Sequence, residues 1–298
     1  MSGWTAKAPG KFNHCLFVGR PRPEGMHPLV SVMQPLSLAD ELTLEPAPDG
    51  ATRDLVICEG VTGPNLAEEA LALYRAAGWD GPLQRLTIHK RVPVAAGMGG
   101  GSADAAGALR LAAAAAGTPG DCRADEAAPR LGSDVPAALL ASRCLVSGIG
   151  EQVRRLPLPG PFAVLVLPSQ STLSTPAVYR EFDALGLGRS ESELTELARA
   201  LAAASERGDP LPAEFVHNDL QPAALSLRPE LEQTLAAAEA SGADHVLVSG
   251  SGPTVVGLFL GEDGFSRAQM AAAGLRKHYA DAIATVTVAP GFAQPNPC

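Results

Sequence analysis

Pro93-Val94-Ala95-Ala96-Gly97-Met98-Gly99-Gly100-Gly101-Ser102-Ala103-Asp104-Ala105-Ala106 is the stretch whose reading decides the fold. A strand pattern, Leu86–His89, ends before it. An alanine-rich helix pattern opens inside it, from Ser102 to about Ala116, and stops at Gly117 and Pro119. Four glycines within positions 97–101 let the backbone approach a ligand closely and turn successive N–H groups one way. The helix start adds unpaired donors and partial positive charge. Together these form a cradle for an anion such as a di- or triphosphate. It is not a Walker A loop, because no Lys-Ser/Thr pair closes it, and Ser102 stands where the dinucleotide fingerprint needs its last glycine. Ser102 is expected to cap the helix, and Asp104 to lie in its first turn, where a carboxylate suits the dipole. The plain alternative is a flexible turn.

Toward the N-terminus, Ala8-Pro9-Gly10-Lys11-Phe12-Asn13 places a lysine and an amide two residues apart, on one face of an extended segment. That pair suits a phosphoryl oxygen or a substrate hydroxyl; a solvated lysine is the ordinary alternative. Toward the C-terminus, Leu131-Gly132-Ser133-Asp134-Val135-Pro136 sets a carboxylate between apolar flanks at a helix start. Asp134 reads either as a helix cap or as a part-buried general base. Val248-Ser249-Gly250-Ser251-Gly252-Pro253-Thr254 joins two strand patterns, as a hairpin turn or as a second backbone-lined loop over a ligand. Six histidines show no metal-ligand spacing, and no G-x-S-x-G elbow occurs.

The order of patterns divides the chain. Leu156-Pro157-Leu158-Pro159-Gly160-Pro161 is the natural boundary, giving domains 1–158 and 159–298. The first half reads as mixed α+β. Its strand patterns fall near Trp4–Ala8, Cys15–Val18, Glu41–Glu45, Asp54–Cys58, Leu86–His89, Cys144–Ser147 and Glu151–Arg154. Leu66, Ala70, Leu73 and Tyr74 mark a helix, and shorter helices are expected at Glu126–Leu131 and Val135–Ala141. The second half, with adjacent helices merged, reads β-α-β-β-α-β from Phe162 to Val288, the ferredoxin-like order. Ser190 with Glu193 predicts a capping box.

Composition narrows the function. The 298 residues suit about two domains, and a formal charge of −9 without a basic run disfavours nucleic acid and anionic membrane. Five scattered cysteines, none in a C-x-x-C pair, argue against a disulfide framework or a zinc site. No signal-peptide pattern or membrane-length apolar run occurs, so a soluble, cytoplasmic protein is expected.

Taken together, Pro9–Asn13, Pro93–Ala106 and Ser249–Pro253 resemble the three motifs of the GHMP kinase superfamily of small-molecule kinases. Glu24-Gly25-Met26-His27, Leu131–Pro136, Thr175-Pro176-Ala177-Val178-Tyr179 and Asn218-Asp219-Leu220 are similar to one branch of it, in order along nearly the whole chain. That branch phosphorylates the 2-hydroxyl of a cytidylylated methylerythritol on the non-mevalonate route to isoprenoid precursors. The resemblance implies an α+β, two-domain fold: an N-terminal ribosomal-protein-S5-like domain, a C-terminal ferredoxin-like domain, and the active site between them. It implies ATP and Mg²⁺ as cofactors, a small-molecule substrate, and a monomer or weak homodimer.

By position, the resemblance makes Asp134 the base and Lys11 its partner. Pro93, Gly97, Met98, Gly99, Gly100, Gly101 and Ser102 would hold the ATP phosphates, Ser102 also offering a Mg²⁺ contact. Asp104 would lie near the nucleotide, and Asn65 and Leu66 near the adenine. Asn13, Gly250, Ser251 and Gly252 would hold the substrate, His27 would read the cytosine edge, Tyr179 would stack on it and Thr175 would line its pocket. Met26 stands where the family usually has tyrosine. The alternatives are a superfamily kinase for another alcohol, of homoserine or mevalonate type, and a nucleotide-binding relative without catalysis.

Overall fold

Trp4–Val18 forms one strand, β1, where the sequence pattern indicates two short ones. Pro9 and Gly10 interrupt the alternation without ending the strand. Its pairing with β2 (Leu29–Pro46) instead shifts register between Pro9 and Lys11, and again between Asn13 and Cys15. Such irregularities accept a residue lacking an N–H. They also re-aim side chains, and these two bracket Lys11 and Asn13. The first part of β2 escapes the sequence reading because Pro35 and the buried polar residues Ser31 and Gln34 break its alternation.

The computed structural model describes residues 3–298 apart from Thr62, Ala95, Gln170 and Pro290. Ala95, inside the glycine-rich stretch, therefore lies outside the described residues. The first sheet runs β12-β1-β2-β4-β3, with β3 at Leu55–Cys58, β4 at Gln84–His89 and β12 at Asn296–Pro297. β5 (Cys144–Ser147) pairs β2 and β6 (Gln152–Arg155), while β8 (His217–Asn218) pairs β1. Helices α1 (Leu66–Ala76), α2 (Gly100–Ala115), α3 (Cys122–Leu131) and α4 (Val135–Leu140) belong to this layer. Helix α2 is mostly buried against Ala8, Leu42, Leu71 and Leu86, because its alanines permit close approach on several sides. Helix α3 starts at Cys122, earlier than the sequence pattern suggests, because the Asp121 side chain accepts from Arg123 N.

The second sheet has the order β11-β7-β10-β9, with β7 at Phe162–Leu167, β9 at His245–Val248, β10 at Val255–Leu260 and β11 at Ile283–Val286. All of its pairings are antiparallel, and the order is that of a ferredoxin-like sheet. Helices α5 (Thr175–Ala184), α6 (Glu191–Ser205), α7 (Gln221–Leu227), α8 (Leu231–Ala240) and α9 (Gly264–Leu275) complete this half. The Ser190–Glu193 capping box forms as expected. Parts of the later chain return to the first layer: β12 lies beside Trp4 and Thr5, and Leu194 and Leu201 of α6 pack on Phe17, Val32 and Leu145.

The two sheets share a core. Phe12, Leu36, Val92 and Met98 pack with Phe162, Val164, Val166, Val256 and Leu258. Met98 thus anchors the glycine-rich loop at the seam between layers, with its side chain 1% exposed. No helix among the described residues is long and apolar enough to cross a membrane.

Candidate active site

Helix α2 begins earlier than the sequence predicts. Gly99, at φ +67°, occupies the N-cap position, and Ser102 lies inside the first turn. The expected Ser102 cap is therefore corrected: a left-handed glycine turns the chain into the helix and leaves the Ser102 hydroxyl off the cap. Gly97 has a different reason to be glycine. A Cβ there would lie 2.6 Å from Ser249 O and 2.9 Å from Gly252 O. The 249–252 loop therefore packs directly on the glycine-rich loop, joined also by the Ser249 hydroxyl to Gly97 O at 3.4 Å. Asn218 holds this second loop, donating Nδ2–H to Val248 O and Gly250 O, each at 2.7 Å.

Beside the glycines is a cavity of about 330 Å³, lined by Asn65, Leu66, Lys90, Pro93 and residues 96–102, with Asp104 on its wall. Asn65 caps α1, its side chain accepting from Ala67 N at 2.9 Å. Asp104 is not in the first turn as expected, because α2 already starts at Gly100. It is 3% exposed and accepts from Lys90 Nζ at 2.7 Å, while the same ammonium donates to Asp40 at 2.5 Å. Burial, with Asp40 nearby and only partly offset by Lys90, pushes the Asp104 carboxyl up to about 7. Its Oδ1 is buried without a hydrogen-bond partner. Sequence reasoning missed Lys90 and Asp40; the available signal was a lysine directly after β4, where the strand opens onto the glycine-rich stretch.

Lys11 and Asp134 meet. Lys11 Nζ lies 3.2 Å from Asp134 Oδ2 and donates to Asn13 Oδ1 at 2.8 Å. Asn13 donates onward to Ser31 Oγ at 2.7 Å, and Ser31 to Cys15 O at 2.7 Å. Asn13 is 2% exposed, a buried support for the Lys11 ammonium. The Lys11 backbone N donates to Met98 O at 2.9 Å, which fixes β1 to the cradle. Asp134 occupies the N-cap position of α4, yet its carboxylate makes no capping bond. The capping bond is thereby removed from the reading, and Oδ2 faces Lys11. Gly99 and Ser102 line both the large cavity and a small pocket of about 20 Å³ against Lys11 and Asp134.

The remaining candidates meet in separate contacts. Gly250 approaches the pair: a Cβ there would lie 3.5 Å from Asn13 Oδ1 and 3.8 Å from Lys11 Nζ. Ser251 and Thr175 share a hydroxyl hydrogen bond of 2.8 Å. The rings of His27 and Tyr179 lie 4.8 Å apart, and burial pushes the Tyr179 phenol up to about 12. His27 Nε2 is 2.8 Å from Asp183 Oδ1, a partner the sequence reading missed although Asp183 follows Tyr179 at i+4 on α5. Met26 is 47% exposed at the edge of this group.

Comparison with known proteins places the chain in a family. The sequence pattern described as "GHMP kinases N terminal domain" matches residues 65–142, and that described as "GHMP kinases C terminal" matches 190–281. A 4-diphosphocytidyl-2-C-methyl-D-erythritol kinase of Streptomyces coelicolor is 44% identical over 276 residues, covering 90% of each chain. One from Corynebacterium diphtheriae is 41% identical over 302 residues, covering 94% of each. A crystal structure of 4-(cytidine 5'-diphospho)-2C-methyl-D-erythritol kinase superposes with a TM-score of 0.76 at 34% identity, covering 96% of this chain and 99% of that one. A homoserine kinase from Cytophaga hutchinsonii, 17% identical with a TM-score of 0.70, shares the fold. This chain is a small-molecule kinase of the GHMP family, and within that family it belongs with the 4-diphosphocytidyl-2-C-methyl-D-erythritol kinases.

Proposed function

We propose that the protein transfers the terminal phosphoryl group of ATP to the 2-hydroxyl of 4-diphosphocytidyl-2-C-methyl-D-erythritol, a step toward isoprenoid precursors by the non-mevalonate route. The observation that carries the reading is the Lys11–Asp134 pair, 3.2 Å apart and set against Gly99 of the cradle. Asp134 accepts the hydroxyl proton as the substrate oxygen bonds to the γ-phosphorus. The bond to the ADP oxygen breaks, and ADP leaves with that electron pair. Lys11 orients Asp134 and offsets charge on the moving group. Little covalent chemistry is asked of the protein, so positioning and electrostatics carry the rate.

In this reading Asn65 and Leu66 flank the adenine. Pro93, Met98 and the glycines 97 and 99–101 take the phosphates with Ser102, and Asp104 acts beside the nucleotide through Lys90. His27, Tyr179, Thr175 and Met26 form the cytosine pocket. Asn13, Gly250, Ser251 and Gly252 face the rest of the substrate. Residues 1–158 thus supply the nucleotide cradle, the proton acceptor and part of the substrate site through Asn13, Met26 and His27, and 159–298 supply the rest of it.

Mg²⁺ fits as an ion shared with the nucleotide. No group of three or more His, Cys, Asp or Glu forms a metal cage among the described residues. A magnesium ion that keeps its waters and the phosphates needs only one or two protein oxygens, of which the uncapped Ser102 hydroxyl would supply one. When bound, the ion neutralises phosphate charge. The five thiols suit a reducing, cytoplasmic setting.

The test is ADP release with ATP, Mg²⁺ and the cytidylylated alcohol. Asp134→Asn is expected to lower kcat by about 10²–10⁴-fold while leaving ATP affinity in place. Turnover of a different alcohol with the cytidylylated one inert overturns the substrate. Wild-type kcat in Asp134→Asn overturns the base.

A further inference from the structure

Arg110 lies on α2, the helix that begins in the glycine-rich cradle. Its Nη1 donates to Ala138 O at 2.8 Å and to Leu139 O at 3.3 Å, both near the end of α4. Its Nη2 reaches Lys7 O on β1 at 3.5 Å. One guanidinium thus touches the cradle helix through its own backbone, the strand that carries Lys11, and the helix that starts at Asp134. All three of these hydrogen bonds go to main-chain carbonyls, and its Nε is buried without a partner. Burial lowers its pKa to about 10, so it stays charged at neutral pH.

Helix α4 needs such a tie. Six residues are too few to hold a helix by themselves. At its start, Ala138 N donates to Asp134 O at 3.0 Å. At its end, Ala141 N donates to Ala137 O, and Ala141 itself sits in the left-handed region at φ +46°. The carbonyls of Ala138 and Leu139 are among those a helix end leaves unpaired, and Arg110 takes both. Ala138 therefore bonds Asp134 through its N–H and Arg110 through its carbonyl. Asp134, having no capping bond of its own, depends on α4 for its place.

We propose that Arg110 is a positioning residue for phosphoryl transfer, tying α4 to α2 and β1 so that Asp134 stays set against Lys11 and the cradle. The inference rests on Asp134 being the base. A cavity of about 690 Å³ borders Arg110, Ala113, Leu139 and Ala141, so a small cation from solvent can reach the place the side chain would vacate.

The test is steady-state kinetics of Arg110→Ala and Arg110→Lys in the full-length enzyme. In Arg110→Ala, kcat is expected to fall about 10–100-fold, the range that small misplacement of a reacting group produces. KM for both substrates and ATP affinity should stay within about 2-fold. In an Asp134→Asn background the same change should add no further loss, as expected of residues acting as one unit. Millimolar guanidinium should restore part of the Arg110→Ala kcat and leave the wild type unchanged. If Arg110→Ala does not fold, Arg110→Gln, which keeps a donor for Ala138 O, carries the same measurements. Wild-type kcat in the Arg110 variants, or an equal loss in the Asp134→Asn background, overturns the proposal. Full turnover by Asp134→Asn alone overturns the reading beneath it, whereas an inactive Asp134→Asn beside an unimpaired Arg110→Ala overturns this inference only.

Discussion

The Cβ that Gly99 lacks would sit 3.0 Å from Lys11 Cε and 3.1 Å from Lys11 Cγ. The cradle and the lysine are therefore fitted to one another, and Asp134 Oδ2 lies just beyond, 3.6 Å from the same point. Gly99→Ala asks for two adjustments. A residue with a Cβ must adopt φ +67°, and the flexible lysine must swing aside. The backbone cost is on the order of 1 kcal/mol. Moving Lys11 off Asp134 costs the reaction more than the fold. The expected result is a kcat at least about 10-fold lower with a melting temperature only a few degrees lower. Unchanged turnover would show that the lysine's position is not critical.

Asp104 gives a pH signature. Its carboxyl titrates near 7 in the fold, against about 4 in an unfolded chain. Between those values the folded state binds more protons, so stability falls as pH rises through the window. Asp40 and Lys90 face the group, and the Lys90 ammonium remains charged throughout, its pKa held up by the two carboxylates against the pull of burial. Asp104→Asn removes this titration. Relative to the wild type, the variant should gain on the order of 2 kcal/mol between pH 5 and pH 8. Urea unfolding at both pH values measures it, and a pH-independent difference would rule out the titration.

Asp183 should matter to the cytidylylated substrate and not to ATP. Its carboxylate accepts from His27 Nε2–H, which in a neutral ring makes Nδ1 an acceptor for an amino group such as cytosine carries. Asp183→Ala frees the ring orientation. We expect KM for the cytidylylated alcohol to rise about 5–20-fold, in line with the loss of about 1–2 kcal/mol of hydrogen bonding, with KM for ATP unchanged. A shift in the ATP constant instead would place His27 at the nucleotide.

The cysteines divide by environment. Burial pushes the Cys15 and Cys144 thiols up to about 12, so both should resist alkylation in the native protein. Cys122 and Cys298 are exposed and should label first. Cys58 lines the cavity beside the glycines, and burial raises its pKa as well. Mass spectrometry after iodoacetamide should show slow Cys58 labelling that ATP slows further by several-fold. Equal labelling with and without ATP would move the nucleotide elsewhere.

The glycine-rich stretch, the alanine-rich helix and the β-α-β-β-α-β order of the second half were all legible in the sequence. Each depends on local pattern, which neighbours along the chain settle among themselves. The helix start was misread because Ser102 is the better capping residue by type, while Gly99 wins by backbone geometry. β2 was half hidden because Ser31 and Gln34 are polar and buried; Ser31 serves Asn13, far off in sequence. Lys90 gave little signal, since a lone lysine reads as solvated until Asp40 and Asp104 are seen on either side of it.

By itself, the order of residues determined that a glycine-rich turn opens a helix, which residues are candidates to act on a phosphoryl group, and which architecture presents them. Only the tertiary structure decided that Lys11 and Asp134 touch, that the 249–252 loop packs on Gly97, and that Arg110 bridges three elements. Those partners come from strands and helices far apart along the chain. Their meeting is set by how the layers pack around the shared core, a balance of burial and fit that no short segment encodes.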